Sequence, residues 1–192
     1  MDADVVVVGG GGSGLAAAIG AAESGASVVL LEKNPAVGGT TARSIGSISA
    51  ACTDQQRRLG IVDTPDAHYE DMALFSKKYT SRPDNDALRR VLARNVPQTV
   101  KWLSSLGVEF FGPLEEPPHR VARMHNVLPG SRAYIFHLER HARGVGVRIL
   151  TGSRARRLLC ADGRVIGLEF ERADGGTETL RARRAVVLAS GD

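Results

Sequence analysis

The chain has 192 residues, enough for one sizeable hydrophobic core, and a formal net charge of +4. Because 21 acidic residues are interspersed with 25 lysines and arginines, with no basic stripe among aromatic residues, the composition excludes a typical nucleic-acid-binding protein. No apolar stretch approaches the ~18 residues that cross a membrane, no signal peptide is visible, and the two cysteines lack metal-binding spacing. We therefore expect a cytoplasmic protein without a membrane span.

The chain opens with the pattern of a strand, a glycine-rich turn and a helix. Four consecutive valines at 5–8 predict a strand buried on both faces, as in a parallel sheet. Gly9, Gly11 and Gly14 follow at the G-x-G-x-x-G spacing. In that motif the glycines permit a tight turn, close approach of a pyrophosphate, and close packing of helix on strand. The helix predicted over 13–24 would offer its N-terminal amides and positive dipole end to a phosphate.

A second strand is predicted over 27–31, and it ends at Glu32, 18 residues after Gly14. An acidic residue at this distance is expected to bind ribose hydroxyls. A glycine triad alone also occurs in other α/β turns. Here the strand before it, the helix after it and the second strand with its acid provide the context that a dinucleotide site requires.

A second glycine-rich segment follows at 33–47, with the doublet Gly38-Gly39 and several small hydroxyl residues. Glycine lets the backbone approach a large flat or polyanionic ligand closely, although an ordinary polar loop is the alternative interpretation. A nicotinamide-binding unit would instead continue from its acid into another crossover helix.

The middle of the chain predicts helices over 64–78 and over 85–106, the second kinked or divided at Pro97. An apolar face is predicted for the second helix: Leu88, Leu92, Val96, Val100, Leu103 and Leu106. The proline-rich segment 112–130 is predicted to be irregular. Its cations would face either an anionic ligand or the solvent: His119, Arg120, Arg123 and His125.

The last third predicts a helix over 131–144 and a strand at 147–150 beside the strand of Glu32. His137 and His141 share one face of that helix but lack the adjacent glutamate of a zinc-peptidase motif, so no metal site is predicted. Period-2 segments and glycine turns then predict a three-stranded antiparallel meander over 153–160, 165–172 and 177–184. A separate buried strand is predicted at 185–189.

Taken together, the N-terminal motif, Glu32-Lys33, and segments 38–41 and 44–47 resemble the FAD-binding domain of the fumarate reductase/succinate dehydrogenase flavoprotein family. The soluble fumarate reductases and the 3-ketosteroid dehydrogenases are the most similar members. The resemblance covers essentially the whole chain. It implies an α/β fold of the glutathione reductase type: a Rossmann-like parallel sheet with flanking helices and an antiparallel three-stranded β-meander, incomplete at the C-terminus.

The resemblance also implies a domain organisation in which residues 1–192 form one FAD-binding domain. Residues 1–50 would be the dinucleotide-binding βαβ unit and flavin loop, 64–146 a helical insertion and loop, and 147–192 a strand, the meander and a last strand. The capping domain that follows in the family would be absent from this chain.

The resemblance implies residues that bind FAD along its pyrophosphate, ribose, ribityl chain, isoalloxazine ring and adenine. They are Gly9, Gly11, Gly12, Ser13, Gly14, Glu32, Lys33, Gly38, Gly39, Thr40, Thr41, Ser44, Gly46, Ser47, Ala155, Ser190 and Gly191. Some relatives attach FAD through a histidine in the flavin loop. Residues 40–49 contain no histidine, so non-covalent FAD is expected.

The implied function is hydride transfer at a carbon–carbon bond, as alkene reduction or the reverse dehydrogenation. The substrate would be a small molecule, either a carboxylate or a steroid-like compound, and no catalytic residue is assigned. Two alternatives remain open from the residues: an NAD(P)-binding Rossmann enzyme, and a non-catalytic nucleotide-binding fragment.

Overall fold

The computed structural model describes residues 1–79 and 84–191. Its strands, in chain order, are β1 Asp2–Val8, β2 Val28–Leu31, β3 Ile48–Ser49, β4 Glu109–Leu114, β5 Met124–Leu128, β6 Arg148–Leu150, β7 Arg154–Ala161, β8 Arg164–Glu171 and β9 Thr177–Leu188. Its helices are α1 Gly12–Glu23, α2 Asp54–Arg58, α3 Pro65–Tyr79, α4 Asp86–Ser105 and α5 Arg132–Gly144, with a 3₁₀ turn at Thr41–Arg43. No helix among these residues has the length and apolar character to cross a bilayer.

Two compact units make up the chain. The first unit combines Met1–Ser44 with Arg132–Asp192, and the second unit is Ile45–Ser131. The first unit contains the predicted glycine turn, and the second contains α2, α3 and α4.

The first unit is built on a six-stranded sheet in the order β6-β2-β1-β9-β8-β7. The strands β6, β2, β1 and the second half of β9 are parallel, whereas β7, β8 and the first half of β9 are antiparallel. A shared core lies between the two parts of this sheet, where Val6 and Val29 cluster with Leu168 and Phe170. The predicted α/β class with a parallel sheet and a β-meander is therefore confirmed.

The strand β9 differs from the prediction of two separate strands. Its residue Arg181 pairs with Gly167 of β8 and also with Asp2 of β1, so one continuous strand passes from the meander into the parallel sheet. No turn is needed at this point, and the sequence contains no turn residues there. The prediction of a buried final strand was also wrong for Leu188, which is 64% exposed.

The second unit contains a three-stranded antiparallel sheet in the order β3-β5-β4. The prediction that 112–130 is irregular was wrong, because β5 lies inside it and pairs with both neighbours. Polar residues obscured the strand pattern. His125 of β5, for example, is polar but fully buried. Pro113 is tolerated in β4 because β4 is an edge strand.

The helix α4 begins after Asn85, whose side chain accepts a hydrogen bond from the amide of Leu88 at 3.1 Å. Pro97 lies within this single helix and does not divide it. The predicted apolar face is correct in the C-terminal half, where Val96, Val100 and Leu103 are buried. It was wrong in the N-terminal half: Leu88 is 65% exposed and Leu92 is 49% exposed.

Candidate functional site

The glycine-rich turn between β1 and α1 places three glycines in three different environments. Gly9 has φ of +109°, and a Cβ there would lie 2.3 Å from the carbonyl oxygen of Ala189. A Cβ on Gly14 would lie 1.9 Å from the carbonyl oxygen of Gly9, so helix and turn are in direct contact. A Cβ on Gly11 would instead meet no atom of the described chain closer than 3.9 Å. The turn therefore leaves open space at Gly11 alone among these three positions.

The N-terminus of α1 offers backbone donors beside that space. The first helical hydrogen bond runs from the amide of Leu15 to the carbonyl of Gly11, at 3.0 Å. The amide of Gly12 is already used, because it donates to Oγ1 of Thr41 at 3.1 Å. The amides of Ser13 and Gly14 have no protein acceptor among the described residues. With the helix dipole, two free amides make a favourable position for an anion.

Glu32 follows β2 and is only 5% exposed. Its carboxylate accepts hydrogen bonds from the amide of Gly10 at 2.7 Å and from the amide of Asn34 at 2.8 Å. Because an ionised carboxylate can accept about four hydrogen bonds, the two backbone donors leave capacity for hydroxyl groups. Glu32 thus holds the glycine turn in place and retains capacity to accept further hydrogen bonds.

The second glycine loop lies directly beside the first. The amide of Gly38 donates to the carbonyl of Gly10 at 2.8 Å, and Gly11 forms an isolated parallel bridge with Gly38. A Cβ on Gly39 would lie 3.4 Å from Cα of Gly11. These contacts favour a segment whose backbone packs against the glycine turn over the alternative of an ordinary polar loop.

The other predicted residues of the first unit border the same end of the parallel sheet or the start of the meander. Ser190 and Gly191 follow Ala189, whose amide donates to the carbonyl of Val8 at 2.8 Å. Ala155 pairs with Phe170 in the meander. Three further predicted residues are exposed: Lys33, Thr40 and Ser44.

Two predicted flavin-loop residues, Gly46 and Ser47, belong to the second unit. Gly46 has φ of +85°, and a Cβ there would lie 2.6 Å from Cγ1 of Val127. The hydroxyl of Ser47 donates to Oδ1 of Asn126 at 2.6 Å. Both residues are therefore held against β5, and their predicted position beside a flavin ring stays a prediction.

A buried ionic network in the second unit was not foreseen from the sequence. The guanidinium of Arg123 is fully buried and donates to both carboxylate oxygens of Asp63, each at 2.6 Å, and to Asp71 at 2.6 Å. Its Nη1 also lies 3.0 Å from Nδ1 of His119, which must accept because arginine only donates. Both expectations for Arg123, an anionic ligand or the solvent, were wrong, because its partners are the chain's own carboxylates.

The unfolding free energy is expected to fall as the pH is lowered from 6.5 to about 4. Burial and the positive charge of Arg123 lower the pKa of His68 from 6.5 to about 4, so the unfolded chain binds a proton that the folded chain excludes. The same two causes lower the pKa of His119. The loss for His68 is on the order of 3 kcal/mol. Urea denaturation across this range measures it.

The non-titrating variant His68→Gln should have a flatter pH dependence than the wild type. An unchanged slope in that variant would contradict the assignment to His68. The buried carboxylates lose their contribution to stability only at lower pH. Burial alone raises the pKa of Asp71, but hydrogen bonds from Arg120 and Arg123 lower it to about 2, so this carboxylate stays ionised across the range tested for His68.

Known proteins similar to this chain include reductases and dehydrogenases. Urocanate reductase from Eggerthella lenta is 35% identical over 99% of this chain and 32% of its own length. The open conformation of a flavocytochrome c3 fumarate reductase superposes with a TM-score of 0.88 at 29% identity, covering 97% of this chain and 33% of that one. A 3-ketosteroid-Δ4-(5α)-dehydrogenase from Rhodococcus jostii RHA1 gives a TM-score of 0.83 at 27% identity, covering 97% of this chain and 45% of that one.

The chain spans 17% to 37% of the length of the curated reductases that it matches. The sequence profile that matches it, described as an FAD binding domain, covers residues 4–192. The profile match indicates FAD, and the glycine turn with its acidic residue is the dinucleotide-binding geometry that such a cofactor requires. The chain belongs to the FAD-binding domain family.

Proposed function

We propose that the first unit binds FAD non-covalently and that this chain is the FAD-binding portion of a flavin-dependent oxidoreductase acting at a carbon–carbon bond. The observation that carries the proposal is the open space at Gly11, bordered by the free amides of Ser13 and Gly14. Bound FAD would supply the hydride chemistry, and the protein would place the cofactor and set its electrostatic surroundings.

Each part of the first unit has a role in this proposal. The amides of Ser13 and Gly14 would donate to the pyrophosphate, and Glu32 would accept from the ribose hydroxyls. Further contacts would come from the second glycine loop, the meander and the end of β9. These residues are Lys33, Gly38, Gly39, Thr40, Ser44, Ala155, Ser190 and Gly191.

The direction of the reaction is proposed as alkene reduction. The flavocytochrome neighbour is a fumarate reductase and the Eggerthella relative is a urocanate reductase, so both names describe reduction of a small unsaturated carboxylate. The steroid dehydrogenase neighbour supports the reverse direction and a steroid-like substrate as the second candidate. Alkene-dependent oxidation of a reduced artificial electron donor by the FAD-loaded chain would separate a reductase from a non-catalytic nucleotide-binding fragment. Steroid-dependent reduction of an artificial electron acceptor would do the same for a dehydrogenase.

The first test is the visible absorption spectrum of the purified chain after FAD is added and excess is removed by gel filtration. A retained flavin spectrum is the expected result, with all the flavin released on denaturation because the attachment is non-covalent. A folded chain that retains no flavin would overturn the proposal that this unit binds FAD. Flavin that stays with the denatured chain would overturn the non-covalent assignment.

Gly11→Ala is expected to weaken FAD binding at least about tenfold while leaving the apo-protein folded. The added Cβ meets no protein atom closer than 3.9 Å, so it would occupy ligand space without displacing the chain. FAD titration and thermal unfolding of the apo-protein measure the two effects. Gly20→Ala is the matched control, because Gly20 is exposed in α1 and a Cβ there meets nothing within 4 Å. Equal FAD affinity in both variants would contradict the assigned pyrophosphate position.

A further inference from the structure

We propose that Thr41 is a positioning residue for FAD. Its hydroxyl accepts the hydrogen bond of the Gly12 amide, so that the amides of Ser13 and Gly14 remain as the donors for the pyrophosphate. This inference rests on the proposed function. The family resemblance implies that Thr41 contacts the cofactor, whereas the geometry assigns its hydroxyl to the protein backbone.

Two amides of the glycine turn donate to side chains that lie outside the turn. The amide of Gly10 is bound by Oε2 of Glu32 at 2.7 Å, and the amide of Gly12 is bound by Oγ1 of Thr41 at 3.1 Å. The amides of Ser13 and Gly14 follow without a protein acceptor among the described residues. Two side chains from outside the turn therefore fix the peptide planes that precede the free donors.

Close packing between Thr41 and Gly12 supports a contact within the protein. A Cβ added to Gly12 would lie 3.0 Å from Oγ1 and 3.2 Å from Cγ2 of Thr41. All three heavy atoms of the threonine side chain thus border Gly12, and no ligand atom fits between the two residues.

Thr41 is itself held in place by its neighbours. It begins the 3₁₀ turn Thr41–Arg43, and its carbonyl accepts from the hydroxyl of Ser44 at 2.9 Å. The amide of Ala42 donates to the carbonyl of Gly38 at 3.1 Å, next to the bridge between Gly38 and Gly11. The second glycine loop therefore contacts the first through Gly38 as well as through Thr41, and it can orient the N-terminus of α1 before FAD binds.

The test compares Thr41→Val with Thr41→Ser in the 192-residue chain. Valine keeps the size of threonine but lacks the hydroxyl, whereas serine keeps the hydroxyl. We expect Thr41→Val to weaken FAD binding by roughly tenfold, the loss of one hydrogen bond, and Thr41→Ser to bind FAD as the wild type does. Thr177→Val is the matched control, because Thr177 is exposed at the start of β9 and should leave FAD affinity unchanged.

Amide hydrogen exchange at Gly12 in the apo-protein provides a readout that does not depend on FAD. Exchange should accelerate at least about tenfold in Thr41→Val and stay at the wild-type rate in Thr41→Ser. Weaker FAD binding with unchanged exchange at Gly12 would mean direct contact with FAD and would overturn the positioning role. Unchanged FAD affinity in Thr41→Val would also overturn it.

The two proposals fail in different ways. If the wild-type chain retains no FAD, the proposed function fails, while the exchange rate of Gly12 still reports whether Thr41 binds its amide. If the wild type binds FAD and Thr41→Val binds it equally well, the proposed function stands and the role of Thr41 is excluded.

Discussion

Arg123→Met is expected to lower the free energy of unfolding of the second unit by about 3–5 kcal/mol, the cost of leaving a buried charge without its partner. The side chains of Asp63 and Asp71 are only 1% and 3% exposed, and Arg123 is the cation that hydrogen-bonds to both. Methionine fills similar space but donates no hydrogen bond. Chemical denaturation followed by the fluorescence of Trp102, which lies in α4, measures the change.

Two comparisons make this prediction specific to the buried network. Arg57→Met removes an exposed ion pair with Asp54 in the same unit and should leave the free energy of unfolding nearly unchanged, because exposed ion pairs contribute little. The deficit of Arg123→Met should shrink in acid, because without the guanidinium the buried carboxyls take up protons more readily. If Arg123→Met were as stable as Arg57→Met, the network would not stabilise the second unit.

Gly14→Ala is expected to destabilise the first unit by at least about 3 kcal/mol and to abolish FAD binding. The new Cβ would lie 1.9 Å from the carbonyl oxygen of Gly9 and 3.5 Å from Cβ of Ala189. Since the first of these atoms belongs to the backbone, no side-chain rotation can relieve the overlap. Thermal unfolding of the apo-protein and FAD titration measure the two losses.

The contrast with two other glycines tests the cause. Gly20→Ala, in the same helix, should be neutral or stabilising by up to about 1 kcal/mol, because alanine favours the helix and Gly20 has space for it. Gly11→Ala should lose FAD affinity alone. A Gly14→Ala variant with wild-type stability would show that α1 does not pack on Gly9 as described.

Elements with local signals were predictable from the amino-acid sequence. Four valines, the spacing of Gly9, Gly11 and Gly14, and the acid at 32 predicted the β1-α1-β2 unit, since each signal lies within a few residues of the structure it specifies. The hairpin at Asp162-Gly163 was equally predictable, because both residues adopt the positive φ that such a turn requires. The family resemblance then supplied the cofactor, which the profile match bears out.

The contacts between residues that are distant in the sequence were visible only in the folded chain. Arg123 and Asp63 are 60 positions apart, and no local pattern shows that a cation in a proline-rich segment will be buried between two carboxylates. The strand β5 and the continuous strand β9 were missed for a related reason. The sequence of β5 is polar, and the sequence of β9 has no break, so the neighbouring strands determine which of their residues are buried. The bond from Gly12 to Thr41 likewise joins two loops 29 positions apart, so its existence depends on how β1, α1 and β2 pack.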